Sequence, residues 1–353
     1  MLVLVSSGAR PRYRDDIVRA LALPSGADLQ FRYDRTYVDD LVARRIDGGG
    51  LRNEPGIILY LWSDRDKLET EFVRCRFVTI ANAEFEGSSC IVTLRVGGFV
   101  SDLDDAKLRS LLDSAEKALL PSWEAKTGTG SVLKGKFFFS VHADLTQRSA
   151  DSTTTFEATA TALVRYKDFA AQQGTIVYTV RRLVKLDGNR KTPFYPIAGG
   201  YKLSSGGRYE MQIYCFLPRN AEPRLARLHI DSDVKAVEFP LGETRDIDSR
   251  YDLKQFSLQV ARRTETVSAG LHLYITGPGD EDKPHSDILI PVSFRGSLFL
   301  TVVRIAVIGI GTSGPGMIAA NAAGKLNFGI ALLMLFLGLL AGAGTVFASL
   351  KKP

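Results

Sequence analysis

Four carboxylates close to residue 65 are the side chains of this sequence that most resemble a catalytic group. They are Asp64, Asp66, Glu69 and Glu71. They follow the apolar run 56–62, which predicts a buried strand, and α/β enzymes often place a general acid or base just past a strand end. Arg65 and Lys67 alternate with the carboxylates, so an exposed charged turn accounts for the same pattern. Asp64, Asp66 and Glu69 are therefore weak candidates for catalysis.

A second polar group lies between residues 32 and 39 and combines arginines, aspartates and tyrosines. Its members are Arg32, Tyr33, Asp34, Arg35, Tyr37 and Asp39. The planar guanidinium of arginine can bind a phosphate or a carboxylate through two parallel hydrogen bonds. Arg32 and Arg35 are accordingly weak candidates for recognition of a small anionic ligand or a protein partner. A network of surface ion pairs is the alternative interpretation.

The histidine and cysteine spacings predict neither a metal site nor a disulfide framework. None of the four histidines has a second histidine at ligand spacing, and the three cysteines include no CxxC pair. We expect Cys75, Cys90 and Cys215 to be reduced, buried thiols. The acidic loop 279–282, taken with Asp287, lacks the ligand spacing of a calcium-binding EF-hand.

One glycine pattern has the letters of a dinucleotide-binding fingerprint but lacks its context. Gly309, Gly311 and Gly314 satisfy GxGxxG after an apolar run. The acidic residue that would hold the ribose about 20 positions later is missing, because no Asp or Glu follows Asp287. A GxSxG nucleophile elbow is also absent from the sequence. The sequence thus predicts no cofactor, and an enzyme is the less favoured class.

The net charge of +6 is concentrated at one end of the chain. Residues 298–353 contain Arg304, Lys325, Lys351 and Lys352 and no acidic residue, which leaves +2 for residues 1–297. A part of the chain so close to neutrality has no electrostatic footprint for nucleic acid. Positive charges that flank apolar segments instead indicate a lipid bilayer as partner.

The run 328–350 contains no charged residue and predicts a transmembrane helix. At about 1.5 Å per residue it would be roughly 34 Å long, enough to cross a hydrocarbon core of about 30 Å. Lys351 and Lys352 follow as an interfacial stop. The apolar start of the chain, residues 1–5, is too short for a signal peptide, so we expect residues 1–297 to face the cytoplasm.

The segment before this run permits two interpretations. Residues 298–320 carry one charge, Arg304, and could form a first transmembrane helix kinked at its glycines, or could lie in the interface or form a last strand. With two spans Arg304, Lys351 and Lys352 all end near the cytoplasmic face, so the positive-inside bias favours a hairpin of 298–320 and 328–350. Gly338 and Gly342 form a GxxxG pair that predicts a homo-oligomer, although glycine is also common in membrane helices.

The chain divides into four segments. Residues 1–125 predict an α/β or α+β domain with strands at 2–5, 56–62, 72–80 and 90–96 and helices at 13–23, 37–46 and 104–120. Residues 126–195 predict a β-rich connecting region, within which 156–164 permits either a strand or an alanine-rich helix. Residues 196–297 contain seven short apolar runs and predict an immunoglobulin-like β-sandwich. Residues 298–353 are the membrane segment.

These segments favour a membrane-anchored sensor or effector without catalysis, whose tail oligomerises in the bilayer. The layout is similar in architecture to that of bacterial immunity effectors that disrupt membranes, so an antiviral defence role is a specific form of this hypothesis. The alternatives are an enzyme anchored by its tail, with its site in the N-terminal domain, and a scaffold subunit that brings a partner to the membrane.

Overall fold

The computed structural model describes most of residues 1–297. The described residues are 1–7, 11–100, 105–113, 119–126, 130–142, 153–166, 169, 176–197, 199–217, 226–263, 265–277, 285–297 and 336. The candidate membrane residues Arg304, Gly338, Gly342, Lys351 and Lys352 lie outside them, as does the acidic loop 279–282. Among the described residues, no helix is both long and apolar enough to cross a bilayer.

The N-terminal part alternates strands with short helices. Its elements are β1 (Leu2–Ser7), α1 (Pro11–Ala22), β2 (Asp28–Asp34), a 3-10 helix (Arg35–Tyr37), α2 (Asp40–Asp47), β3 (Pro55–Asp64), β4 (Glu69–Glu86), β5 (Ser89–Phe99), α3 (Asp105–Asp113), β6 (Ser122–Lys126), β7 (Gly130–Lys134) and β8 (Phe138–Ser140). Six of the strands form one mixed sheet in the order β2-β5-β4-β3-β1-β8. Only β1 and β3 run parallel among its pairs.

Strand β1 is an interior strand of this sheet and lies between β3 and the edge strand β8. All six of its residues are buried, because both faces of the sheet are covered there. Helix α1 packs on the sheet through Ile17, Ala20 and Leu21, which are fully buried at helical spacing. At the outer edge β8 pairs with β1 in antiparallel register, and the terminal ammonium of Met1 donates a hydrogen bond to the carbonyl of Val141 (2.8 Å).

The second part is a β-sandwich whose sheets have five strands each. Its elements are α4 (Thr153–Val164), β9 (Val177–Asp187), β10 (Arg190–Phe194), β11 (Tyr201–Ser204), β12 (Arg208–Phe216), β13 (Ala226–Ser232), β14 (Val237–Glu238), β15 (Thr244–Ile247), β16 (Tyr251–Val260), β17 (Val267–Thr276) and β18 (His285–Arg295). The sheet orders are β10-β9-β12-β16-β14 and β11-β18-β17-β13-β15. Tyr178 of β9 joins the sheets, since its hydroxyl donates to the carbonyl of Leu273 on β17 (2.8 Å).

The sandwich prediction is confirmed. Each of the seven apolar runs predicted between 196 and 297 contains a strand, and β15 is added to them. Strands β9 and β10, from the range 126–195, complete the first sheet. Residues 153–164 take the helical alternative, because Phe156, Ala160 and Leu163 then share one buried face.

The two parts share one continuous hydrophobic core. Helix α4 connects them, since the ring of Phe156 lies 5.4 Å from that of Phe99 on β5 and 6.1 Å from that of Tyr214 on β12. Helix α1 also contacts both the N-terminal sheet and strands β9 and β18. A third junction is a backbone hydrogen bond from the amide of Asp28 to the carbonyl of Gly199 (3.0 Å).

Candidate functional site

The carboxylates proposed for catalysis lie at the tip of the β3–β4 hairpin. Asp64 and Glu69 are paired across the two strands. The Oδ1 atom of Asp64 accepts hydrogen bonds from the backbone amides of Asp66 (2.9 Å) and Lys67 (3.2 Å), which closes an Asx turn. Because β3 runs antiparallel to β4, these groups stand on a hairpin turn and not at a crevice between parallel strand ends.

This turn gives Asp64 a structural role that can be measured. We expect Asp64→Asn, which keeps an acceptor for the turn amides, to change the free energy of unfolding by less than about 0.5 kcal/mol, and Asp64→Ala to lower it by about 1 kcal/mol. Urea titration of both variants gives these values. A gain in stability from either variant would contradict the turn role and indicate the strained arrangement typical of active sites.

The arginines of the second polar group do not converge. Arg32 is exposed on β2, opposite Ile91. Arg35 places its Nη2 atom 3.1 Å from Asp47 and its guanidinium carbon 4.1 Å above the ring of Phe85. The Arg35–Asp47 pair is exposed at both ends, so it contributes at most about 1 kcal/mol.

The tyrosines of the same group, in contrast, line a cavity. Its volume is about 190 Å³. The lining residues are Val5, Ser7, Tyr13, Tyr33, Tyr37, Leu133 and Phe137, and we call this space the tyrosine cavity. It lies at the carboxyl end of β1 and beside the first turn of α1, the position at which sheets with parallel strands most often bind ligands.

Burial defines the chemistry of this cavity. The Tyr33 side chain is buried, its ring is stacked on Phe138 at 5.8 Å, and its hydroxyl donates to the carbonyl of Val5 (3.2 Å). Burial, with a smaller contribution from the charge of Asp16, raises the pKa of Tyr33 well above its usual value, so its hydroxyl stays a neutral donor. The cavity therefore suits a small planar ligand that contacts aromatic faces and accepts or donates one or two hydrogen bonds.

The cysteines and histidines provide no second constellation. All three cysteines are free and buried, and burial raises the pKa of Cys75 and of Cys215 to about 12, which keeps these thiols unreactive. His229 stacks on Tyr274 at 4.8 Å, and His272 pairs with Asp287 at 3.1 Å. Across the described ranges, no group of three or more His, Cys, Asp or Glu side chains is arranged to hold a metal ion.

Comparisons with known proteins show no family for this chain. Neither a protein-family model nor a curated protein sequence matches the chain. Among solved structures, SSP-19, an MSP-domain protein like family member of Caenorhabditis elegans, is 11% identical over 28% of this chain and 94% of its own, with a TM-score of 0.21. The PapD-like domain of human CEP192 is 10% identical over 28% of this chain and 82% of its own, with a TM-score of 0.20.

Proposed function

We propose that this chain is a membrane-anchored sensor and effector without catalysis, with residues 1–297 on the cytoplasmic side. The observation that carries the proposal is the uncharged run 328–350, which is long enough to cross a bilayer as a helix. In this proposal the tyrosine cavity binds a small ligand or a partner's side chain, and the tail associates in the membrane through Gly338 and Gly342. Its most specific form is a membrane-disrupting defence effector.

The packing of α1 supports a route from the cavity to the tail. Tyr13 of α1 lines the tyrosine cavity, and the same helix packs against β18. Strand β18 ends at Arg295, immediately before the membrane segment 298–353. A ligand that shifts the first turn of α1 would therefore act on the last strand before the membrane. This requires that the ligand binds the shifted arrangement of α1 more tightly than the original one.

The proposal predicts depolarisation that depends on the sequence of the tail. Membrane potential and growth are followed in cells that express the full chain, residues 1–297, or a chain with an unrelated transmembrane helix in place of 298–353. We expect depolarisation with the full chain alone. Equal activity of the exchanged tail would overturn the effector role, and intact membranes in all three cultures would favour the scaffold alternative.

A pair of matched variants tests association through the tail. Replacing Gly338 and Gly342 together by leucine should abolish depolarisation, because leucine prevents close approach of the helix backbones. Replacing Gly329 and Gly344 together by leucine makes the same change in hydropathy outside the GxxxG pair and serves as control. Equal loss in both variants would indicate a general effect of leucine and contradict the GxxxG interface.

A further inference from the structure

A second and larger cavity lies between β4 and α4, away from the tyrosine cavity. Its volume is about 510 Å³, within the range of about 300–1,000 Å³ that small-molecule sites occupy. Four threonines of α4 line it, together with Arg165 just beyond the end of that helix, and β4 contributes Arg74 and Glu71. We call this space the threonine cavity. The threonines are Thr154, Thr155, Thr159 and Thr161.

Thr159 indicates that the cavity is built for a polar ligand. Its side chain lines the cavity although the residue is only 5% exposed. A threonine hydroxyl can both donate and accept a hydrogen bond, so the Thr159 side chain offers a ligand in the cavity a polar contact.

The charges of the cavity select an anion. Among the described residues that line the space, Arg74 and Arg165 carry positive charge and Glu71 is the one carboxylate. That carboxylate is engaged, since it accepts a hydrogen bond from the hydroxyl of Tyr166. Arginine side chains and hydroxyl donors together form the usual environment of a bound phosphate group.

We propose that the threonine cavity binds a small phosphorylated molecule through Arg74, Arg165 and the hydroxyl of Thr159. The site goes beyond the proposed sensor function and does not depend on it. It spans β4 of the N-terminal sheet and α4, which packs on β12 of the sandwich through Phe156 and by a hydrogen bond from Tyr214 to Glu157. Occupation of the cavity therefore stabilises the junction between the two parts of the molecule.

The tryptophans provide a local readout. The chain has two, and Trp62 stacks at 5.1 Å on Tyr166, which lines the threonine cavity. In the full chain in detergent, Trp123→Phe leaves Trp62 as the single reporter. Titration with inorganic pyrophosphate and with adenosine monophosphate at constant ionic strength is expected to give a saturable fluorescence change for at least one of the two.

Four variants decide whether that change reports the proposed site. Arg165→Gln and Thr159→Val should each weaken binding by about tenfold or more, and Thr159→Ser, which keeps the hydroxyl, should restore it. Arg190→Gln removes an equal charge from an exposed position on β10 and should leave affinity unchanged. The absence of a saturable response, normal affinity in Arg165→Gln and Thr159→Val, or equal weakening in Arg190→Gln would overturn the proposal. Far-UV circular dichroism without ligand shows that each variant is folded.

Discussion

Replacing Arg76 by alanine is expected to lower the free energy of unfolding by about 3–5 kcal/mol, the range typical of a broken buried charged network. Arg76 lies on β4 and is 1% exposed. Its Nη1 atom donates to the carbonyl of Leu23 (2.7 Å), its Nε atom to that of Gly97 (2.9 Å), and its Nη2 atom to the hydroxyl of Ser25 (3.0 Å).

The effect is large because Arg76 also completes the end of α1. Its Nη1 atom lies 3.2 Å from the carbonyl oxygen of Ala20, in the last turn of that helix, where a positive charge interacts favourably with the helix dipole. The guanidinium carbon stacks 4.1 Å above the ring of Phe99. Alanine would leave several buried carbonyl groups without a donor at the helix end that packs between the sheet and the sandwich.

Urea titration of the full chain in detergent measures this loss. Arg32→Ala, at an exposed position in the same sheet, should change stability by less than about 0.5 kcal/mol. Arg76→Lys should fall between the two variants, because an ammonium group cannot reproduce the planar fork. If Arg76→Ala lowered the free energy of unfolding no more than Arg32→Ala, water would be shown to replace the guanidinium group as hydrogen-bond donor without loss of stability.

Replacing Gly199 by alanine is expected to destabilise the chain by about 2–4 kcal/mol, through backbone strain and a collision at the junction of the two parts. Gly199 has a φ of +85°. A Cβ atom there would lie 1.9 Å from Oδ2 and 2.9 Å from Cβ of Asp28, whose backbone amide donates to the Gly199 carbonyl. The aspartate can turn its carboxylate away, but its Cβ moves only with the backbone of β2.

Gly188→Ala separates the effect of backbone strain from that of the collision with Asp28. Gly188 has a φ of +60°, and a Cβ atom there would meet no atom within 4 Å. Gly188→Ala should therefore lower the free energy of unfolding through backbone strain alone, by about 1–2 kcal/mol. Hydrogen exchange at the Asp28 amide should accelerate in Gly199→Ala and stay unchanged in Gly188→Ala. Equal loss of stability and equal exchange in both variants would refute a tight junction at Gly199.

Period-two alternation predicted the sandwich well because each of its strands has one face on the core. The same pattern misleads at Arg76, which alternation places on the solvent side with Arg74. The β3–β4 register shifts there, since Ile58 pairs with Arg76 and the next residue, Leu59, pairs with Arg74, so β4 has one extra residue between the two arginines. Such a bulge interrupts the alternation of side chains along the strand. A bulge follows from long-range pairing, so the local sequence gives little sign of it.

The tyrosine cavity could be predicted only in part. The sequence places Tyr33 and Tyr37 within one polar group, and the alternating burial of Leu29, Phe31 and Tyr33 shows that β2 is a half-buried strand. The opposite wall is formed by Leu133 and Phe137, which arrive about a hundred residues later in the chain. The pairing of β8 with β1 and the hydrogen bond from the amide of Phe137 to the carbonyl of Tyr37 bring that wall into place, and no local pattern encodes these contacts.

The pairing of β8 with β1 also sets an order for folding during synthesis. Leu2 pairs with Ser140, and the terminal ammonium donates a hydrogen bond to the carbonyl of Val141. Strand β1 can therefore complete its pairing only after residues about 140 positions later have been synthesised. At about 5–20 residues per second the delay is roughly 7–28 s. Throughout that interval the edge of β1 offers unpaired backbone groups to other chains. Nascent chains of this protein should therefore depend on chaperones until residue 141 has left the ribosome, and much less afterwards.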